Sequence, residues 1–104
     1  MSIENRNELG TIEIDNKVFT DISKMVCEKV EGVFPVKKEE YATCSIKDND
    51  VKLHISIKIK QGLDIVNTCS SIQSEIHEAV LNMTGIDCSN ITVDIQGFIV
   101  ETKS

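Results

Sequence analysis

The chain has 104 residues, enough for one domain and too few for two ordinary ones. Lys and Arg total 11 against 17 Asp and Glu, a formal charge of −6, which counts against binding nucleic acid through a bulk basic field. A single Pro and five Gly exclude disordered and collagen-like classes, and no run approaches the ~20 apolar residues of a membrane span.

Residues 1–9 are polar and aperiodic and read as a flexible N-terminal segment. From Gly10 the chain alternates, and Ile12 and Ile14 are expected to face the core of a short strand. Asp15 and Asn16 then offer a turn and a cap for a first helix over about Lys17 to Val30. Val18, Ile22, Met25, Val26 and Val30 form its apolar stripe, with Phe19 at the edge. Gly32 and Pro35 stop it.

A strand over Tyr41 to Lys47 places Ala42, Cys44 and Ile46 inward, against Tyr41, Thr43 and Ser45. The Asp48-Asn49-Asp50 break leaves two hairpin registers open. A three-residue loop pairs Cys44 with His54 and sets a core position opposite a solvent position; a two-residue loop at Asn49-Asp50 pairs Cys44 with Ile55 and removes the conflict. Next, Val51, Leu53, Ile55, Ile57 and Ile59 alternate strictly with Lys52, His54, Ser56, Lys58 and Lys60. Such a pattern describes a sheet covered on one side only.

Asp64 caps a second helix over Ile65 to Thr84, whose stripe is Ile65, Cys69, Ile72, Ile76, Ala79, Val80 and Met83, and Gly85 ends it. In the last strand, Ile91, Val93, Ile95, Gly97 and Ile99 alternate with Thr92, Asp94 and Gln96, then Phe98 and Val100. The order β-α-β-β-α-β predicts an α+β fold: two layers, two helices on one face of a three- to four-stranded, mainly antiparallel sheet. One domain covers residues 10–100, with 101–104 as a tail.

No catalytic group or cofactor motif stands out. Cys27, Cys44, Cys69 and Cys88 lack C-x-x-C clustering and sit in or beside apolar patterns, as core thiols of a reducing compartment do. His77 lies between Glu75 and Glu78 without the H-E-x-x-H spacing of a zinc helix, so no metal is expected. The unusual feature is charge distribution. Residues 37–60 hold six lysines against four acidic residues, in an otherwise acidic chain. Lys52, His54, Lys58 and Lys60 on the polar side of the long strand, with the apolar Phe98 and Val100, form the candidate interaction surface.

Several segments together resemble the bacterial alkaline shock protein family of envelope stress response proteins. They are Gly10-Thr11-Ile12-Glu13-Ile14, Glu31-Gly32-Val33, Val51 to Gly62, Ile72-Gln73, Val80-Leu81-Asn82-Met83-Thr84-Gly85-Ile86 and Ile91 to Gly97. The resemblance covers about Gly10 to Ile99, in order. It implies a non-enzymatic cytoplasmic protein of Gram-positive-type bacteria, without cofactor or direct membrane insertion. Such a protein acts by homo-oligomerisation, or by binding a protein partner such as a membrane-anchored relative or a regulatory target.

Overall fold

The computed structural model describes residues 2–36 and 41–100. Its organising element is the long strand Asp50–Lys60, here β5. Val51, Leu53, Ile55, Ile57 and Ile59 are each 3% exposed or less, while Lys52 and His54 are exposed and Ser56, Lys58 and Lys60 partly so. Two helices, α1 (Asn16–Lys29) and α2 (Ile65–Thr84), supply the covering layer. From α2, Ile72, Ile76 and Val80 are fully buried; from α1, Phe19, Ile22, Val26 and Cys27 are buried. Each isoleucine taken out of water contributes about 1.5–3 kcal/mol before entropy is subtracted.

Both helix caps form as the sequence leads one to expect. Asp15 accepts the Lys17 amide at 3.3 Å, and Asp64 accepts the Asn67 amide at 3.2 Å. Gly85 ends α2 in the left-handed conformation at φ 76°, its amide donating to the Leu81 carbonyl. The buried stripe of α1 is rotated from the expected one: Ser23 is fully buried and Val18 is 40% exposed. A serine can occupy that position because its hydroxyl donates to the Phe19 carbonyl at 2.8 Å, one turn back, leaving no polar atom unsatisfied. In α2, Ile65 and Met83 likewise lie on the exposed surface.

Around β5 the sheet is mixed. One edge pairs antiparallel with two collinear pieces, β3 (Val33–Pro35, against residues 57–59) and β4 (Ala42–Lys47, against residues 50–55). Ser56 marks the join: its carbonyl accepts from the Val36 amide and its amide donates to the Tyr41 carbonyl. The two pieces thus meet at this one residue of β5. Lys37 and Lys38 of the basic window, like the 101–104 tail, lie outside the described residues. The other edge pairs parallel with β6 (Asn90–Ile99), as a connection through a helix allows. The longest pairing in the sheet is therefore the parallel one.

The β4–β5 register matches neither expected alternative. The two-residue turn is Asp48-Asn49, so Lys47 pairs with Asp50, Cys44 with Leu53 and Thr43 with His54. Both turn residues have positive φ, 51° and 61°, the requirement of the turn whose twist suits a two-residue hairpin. This register keeps Cys44 and Leu53 on the core face and Thr43 and His54 on the other. Tyr41, expected to face outward, lies just before β4 and is 4% exposed; its hydroxyl donates to the Lys24 carbonyl of α1 at 3.2 Å.

Residues expected to be a flexible segment form a strand, β1 (Ser2–Asn7), paired antiparallel with β2 (Gly10–Asp15) in a separate two-stranded sheet. Only the base of this hairpin joins the core, through Ile3 and Ile14; Ile12, expected inward, is 52% exposed. The molecule measures 62 × 22 × 19 Å. A 20-residue helix spans about 30 Å and a six-residue hairpin about 20 Å, so the hairpin projects along the long axis as an arm.

The Asp48-Asn49 turn yields a direct prediction. Asn49→Gly, which relieves a left-handed side chain at the second turn position, should raise stability by up to ~1 kcal/mol with no change in register. Urea denaturation checks it; a loss of stability would mean that Asn49 holds the turn through its side chain.

Candidate functional site

Three places could carry chemistry or recognition: the thiols, a cleft beside His77, and the uncovered face of the sheet. Burial pushes the Cys27 thiol up to about 11, with Glu28 adding to the effect. Burial likewise raises Cys44 to about 11, and raises Cys69 and Cys88. A nucleophilic thiol needs the opposite shift. Cys44 and His54, the one Cys–His combination that the hairpin brings near, stand on opposite faces because Cys44 pairs with Leu53 and His54 with Thr43.

His77 borders a shallow cleft between α2 and the start of β6, lined by Gln73, Ser74, Cys88, Ser89 and Ile91. Its Nε2 bonds the Asp87 carboxylate, and Gln73 Nε2 donates to the Ile91 carbonyl at 2.9 Å. These bonds tie α2 to the segment leading into β6. Glu75 and Glu78 are exposed, and no group of three His, Cys, Asp or Glu is placed to hold a metal among the described residues.

The outer sheet face is built row by row from the strand register. From the turn end the rows are Lys47–Asp50, then Ser45–Lys52–Asn90, then Thr43–His54–Thr92. Ser56–Asp94 follows, then Phe34–Lys58–Gly97 and finally Lys60–Ile99. Four lysines meet two aspartates there, on a chain of net charge −6. His54 Nε2 lies 3.7 Å from the Asp94 carboxylate. Among the described residues, no helix packs on this side.

Lys52, His54, Lys58 and Lys60 therefore share one face, as their alternation predicts, but Phe98 and Val100 do not join it. Ile57 pairs with Ile95 and Lys58 with Gly97, leaving Gln96 as an extra residue in β6. This bulge reverses the alternation beyond it. Phe98 comes level with Ile59 on the helix side, 51% exposed at the edge, and Val100 lies past the strand. Ile99 takes the outer position beside Lys60, and the Lys58 side chain runs within about 4 Å of where a Gly97 Cβ would stand. Phe34, which the sequence did not single out, is the apolar neighbour of Lys58; it is 43% exposed. Only the strand pairing of β3 could have revealed it.

Beside this end, Gly32 lets two segments approach closely. Its φ is 82°, and a Cβ there would come within 2.6 Å of Leu63 Cδ1. Glu31, Gly32, Phe34, Lys60 and Leu63 consequently line a groove at the finish of β5.

Residues 37–100 match the model of the alkaline shock protein 23 family, described as having a cell envelope-related function. The chain is also similar to an uncharacterized protein of Bacillus subtilis, YqhY, at 23% identity over 112 residues, covering 92% of this chain and 82% of that protein. No solved structure matches at comparable significance. No helix is long and apolar enough to cross a membrane among the described residues.

The raised thiols carry a pH dependence, joined by Tyr41, whose phenol burial pushes up to about 12. The folded chain holds these protons to higher pH than the unfolded chain, with ordinary values of 9.0 and 10.0. Their contribution is thus fully present below about pH 9 and is lost as pH rises through 11 to 12. Urea midpoints should be level from pH 7 to near 9 and fall above it; a flat profile through pH 11 contradicts the burial of these groups.

Proposed function

The chain belongs to the alkaline shock protein family, described as having a cell envelope-related function, and on that premise we propose that it is not a catalyst and serves the bacterial cell envelope stress response by association. The associating surface is the uncovered face of the sheet, and its occupant is a protein: a further copy of the chain or a membrane-anchored relative. One observation carries this reading. The face gathers Lys47, Lys52, Lys58 and Lys60 on a chain whose remaining charge is strongly acidic. Phe34 and Ile99 lie beside the last two lysines and add apolar area, which a purely solvated face would not need. The location is cytoplasmic, with any attachment to the membrane made through the partner.

A second reading assigns the same face to an acidic ligand or to an acidic patch on an enzyme that the chain regulates. The lysine heads favour it, since they are the cationic groups such a ligand requires.

The test is co-sedimentation of the tagged chain with host membranes, together with light scattering of the purified protein. Lys52→Glu/Lys58→Glu/Lys60→Glu should abolish membrane recovery and lower the scattering mass, with the far-UV circular dichroism unchanged. A wild-type protein that is monomeric and never recovered with membranes would overturn the reading.

A further inference from the structure

Among the described residues, the β1–β2 arm is the part that leaves the core, and its charge is opposite to that of the outer sheet face. Residues 2–15 contain Glu4, Glu8, Glu13 and Asp15 against Arg6. In the hairpin register Glu4 stands directly opposite Glu13, on one face of a two-stranded sheet, and both are exposed. Like charges in directly opposed positions destabilise an antiparallel pair. Glu4 and Glu13 thus present two exposed carboxylates side by side on one face of the arm, a pair that a cationic surface would complement. At its tip Leu9 is fully exposed, and Ile12 is half exposed.

The arm and the apolar end of the sheet lie at opposite ends of the molecule. β2 runs straight into α1, and Val18 in the first turn of α1 shares a groove with Met83 and Thr84 at the end of α2. The end of α2 leads to β6, which begins beside Lys52, whereas Phe34, Lys58, Ile99 and the Gly32 groove lie at the finish of β5. An arm therefore cannot cover the far half of its own sheet face, but the arm of another copy can.

The sheet edges are poor alternatives. The β3/β4 edge is made of two separate strands, Val33–Pro35 and Ala42–Lys47, and the β6 edge carries the bulge at Gln96; both features hinder the addition of a regular strand. The face itself is left as the receptor.

We propose that the acidic β1–β2 arm of one copy docks on the outer sheet face of a second copy, its carboxylates, Glu4 and Glu13 among them, meeting the line of lysines to which Lys52 and Lys58 belong. Because arm and face are different surfaces at different positions, the contact is head-to-tail and leaves an arm free at one end and a face free at the other. Such a contact grows into open chains unless its rotation closes a ring. The proposal rests on the association reading above and specifies one of its partners, the chain itself.

Charge exchange tests it. One variant carries Glu4→Lys/Glu13→Lys and another Lys52→Glu/Lys58→Glu, each checked for folding by circular dichroism, and assembly is read by sedimentation velocity at low and at 0.5 M salt. Wild type should assemble with increasing concentration and weaken at least tenfold in high salt. Each variant alone has an arm and a face of like sign and should sediment as a monomer. The equimolar mixture should assemble again, because each arm then meets a face of opposite sign. Assembly of either folded variant alone, or no assembly in the mixture, overturns the arm-on-face contact while leaving association through another surface intact. A monomeric wild type that still sediments with membranes overturns this contact but not the association reading, and one that does neither overturns both.

Discussion

Everything in this molecule depends on the one-sidedness of β5. Five aliphatic side chains on one face of an 11-residue strand are almost completely buried, and the residues between them are polar. Side chains in a strand alternate with period two, so a slip of one residue would carry all five into water. At about 1.5–3 kcal/mol for each buried aliphatic, that penalty is comparable to the whole net stability of a small domain. The register of β5 is thereby fixed, and with it the side on which both helices lie. Both helices among the described residues lie on that side, and neither covers the outer face.

The parts of the fold that could be read from sequence are those where local and global signals agree. The alternation of β5, the α2 span with Asp64 and Gly85 at its ends, and the shared face of Lys52, His54, Lys58 and Lys60 all belong here. What could not be read depends on single residues interacting across the fold. Ser23 looks like a surface residue until its hydroxyl finds the Phe19 carbonyl. Tyr41 turns inward because the Lys24 carbonyl is there to receive it. The bulge at Gln96 shows in the sequence only as apolar Phe98 and Val100 falling on the polar side of the alternation, and it moves Phe98 to the other side of the sheet. β1 has Ile3 as its one strong apolar residue and is defined by pairing with β2, not by its own pattern.

The same physics divides the surface into two roles. The sheet edges are interrupted or bulged, which discourages the indiscriminate strand pairing to which open sheets are prone. The outer face is instead decorated with long cationic side chains whose stems can cover apolar neighbours. Lys58 illustrates this: it lies between Phe34 and Gly97, and the missing Cβ of the glycine gives its stem a place to lie. Recognition on such a face, as proposed above, would be selective by charge and would need no cavity.

The central claim is that β5 is a strand with one structural face and one free face, and two neighbouring substitutions measure it most directly. Ile57→Ala should cost about 2–5 kcal/mol in urea denaturation, because it empties space in the core that helices and sheet cannot refill. Lys58→Ala, the adjacent residue, should change stability by no more than ~0.5 kcal/mol. Comparable losses at both positions would mean that the outer face is also packed, and would contradict the account.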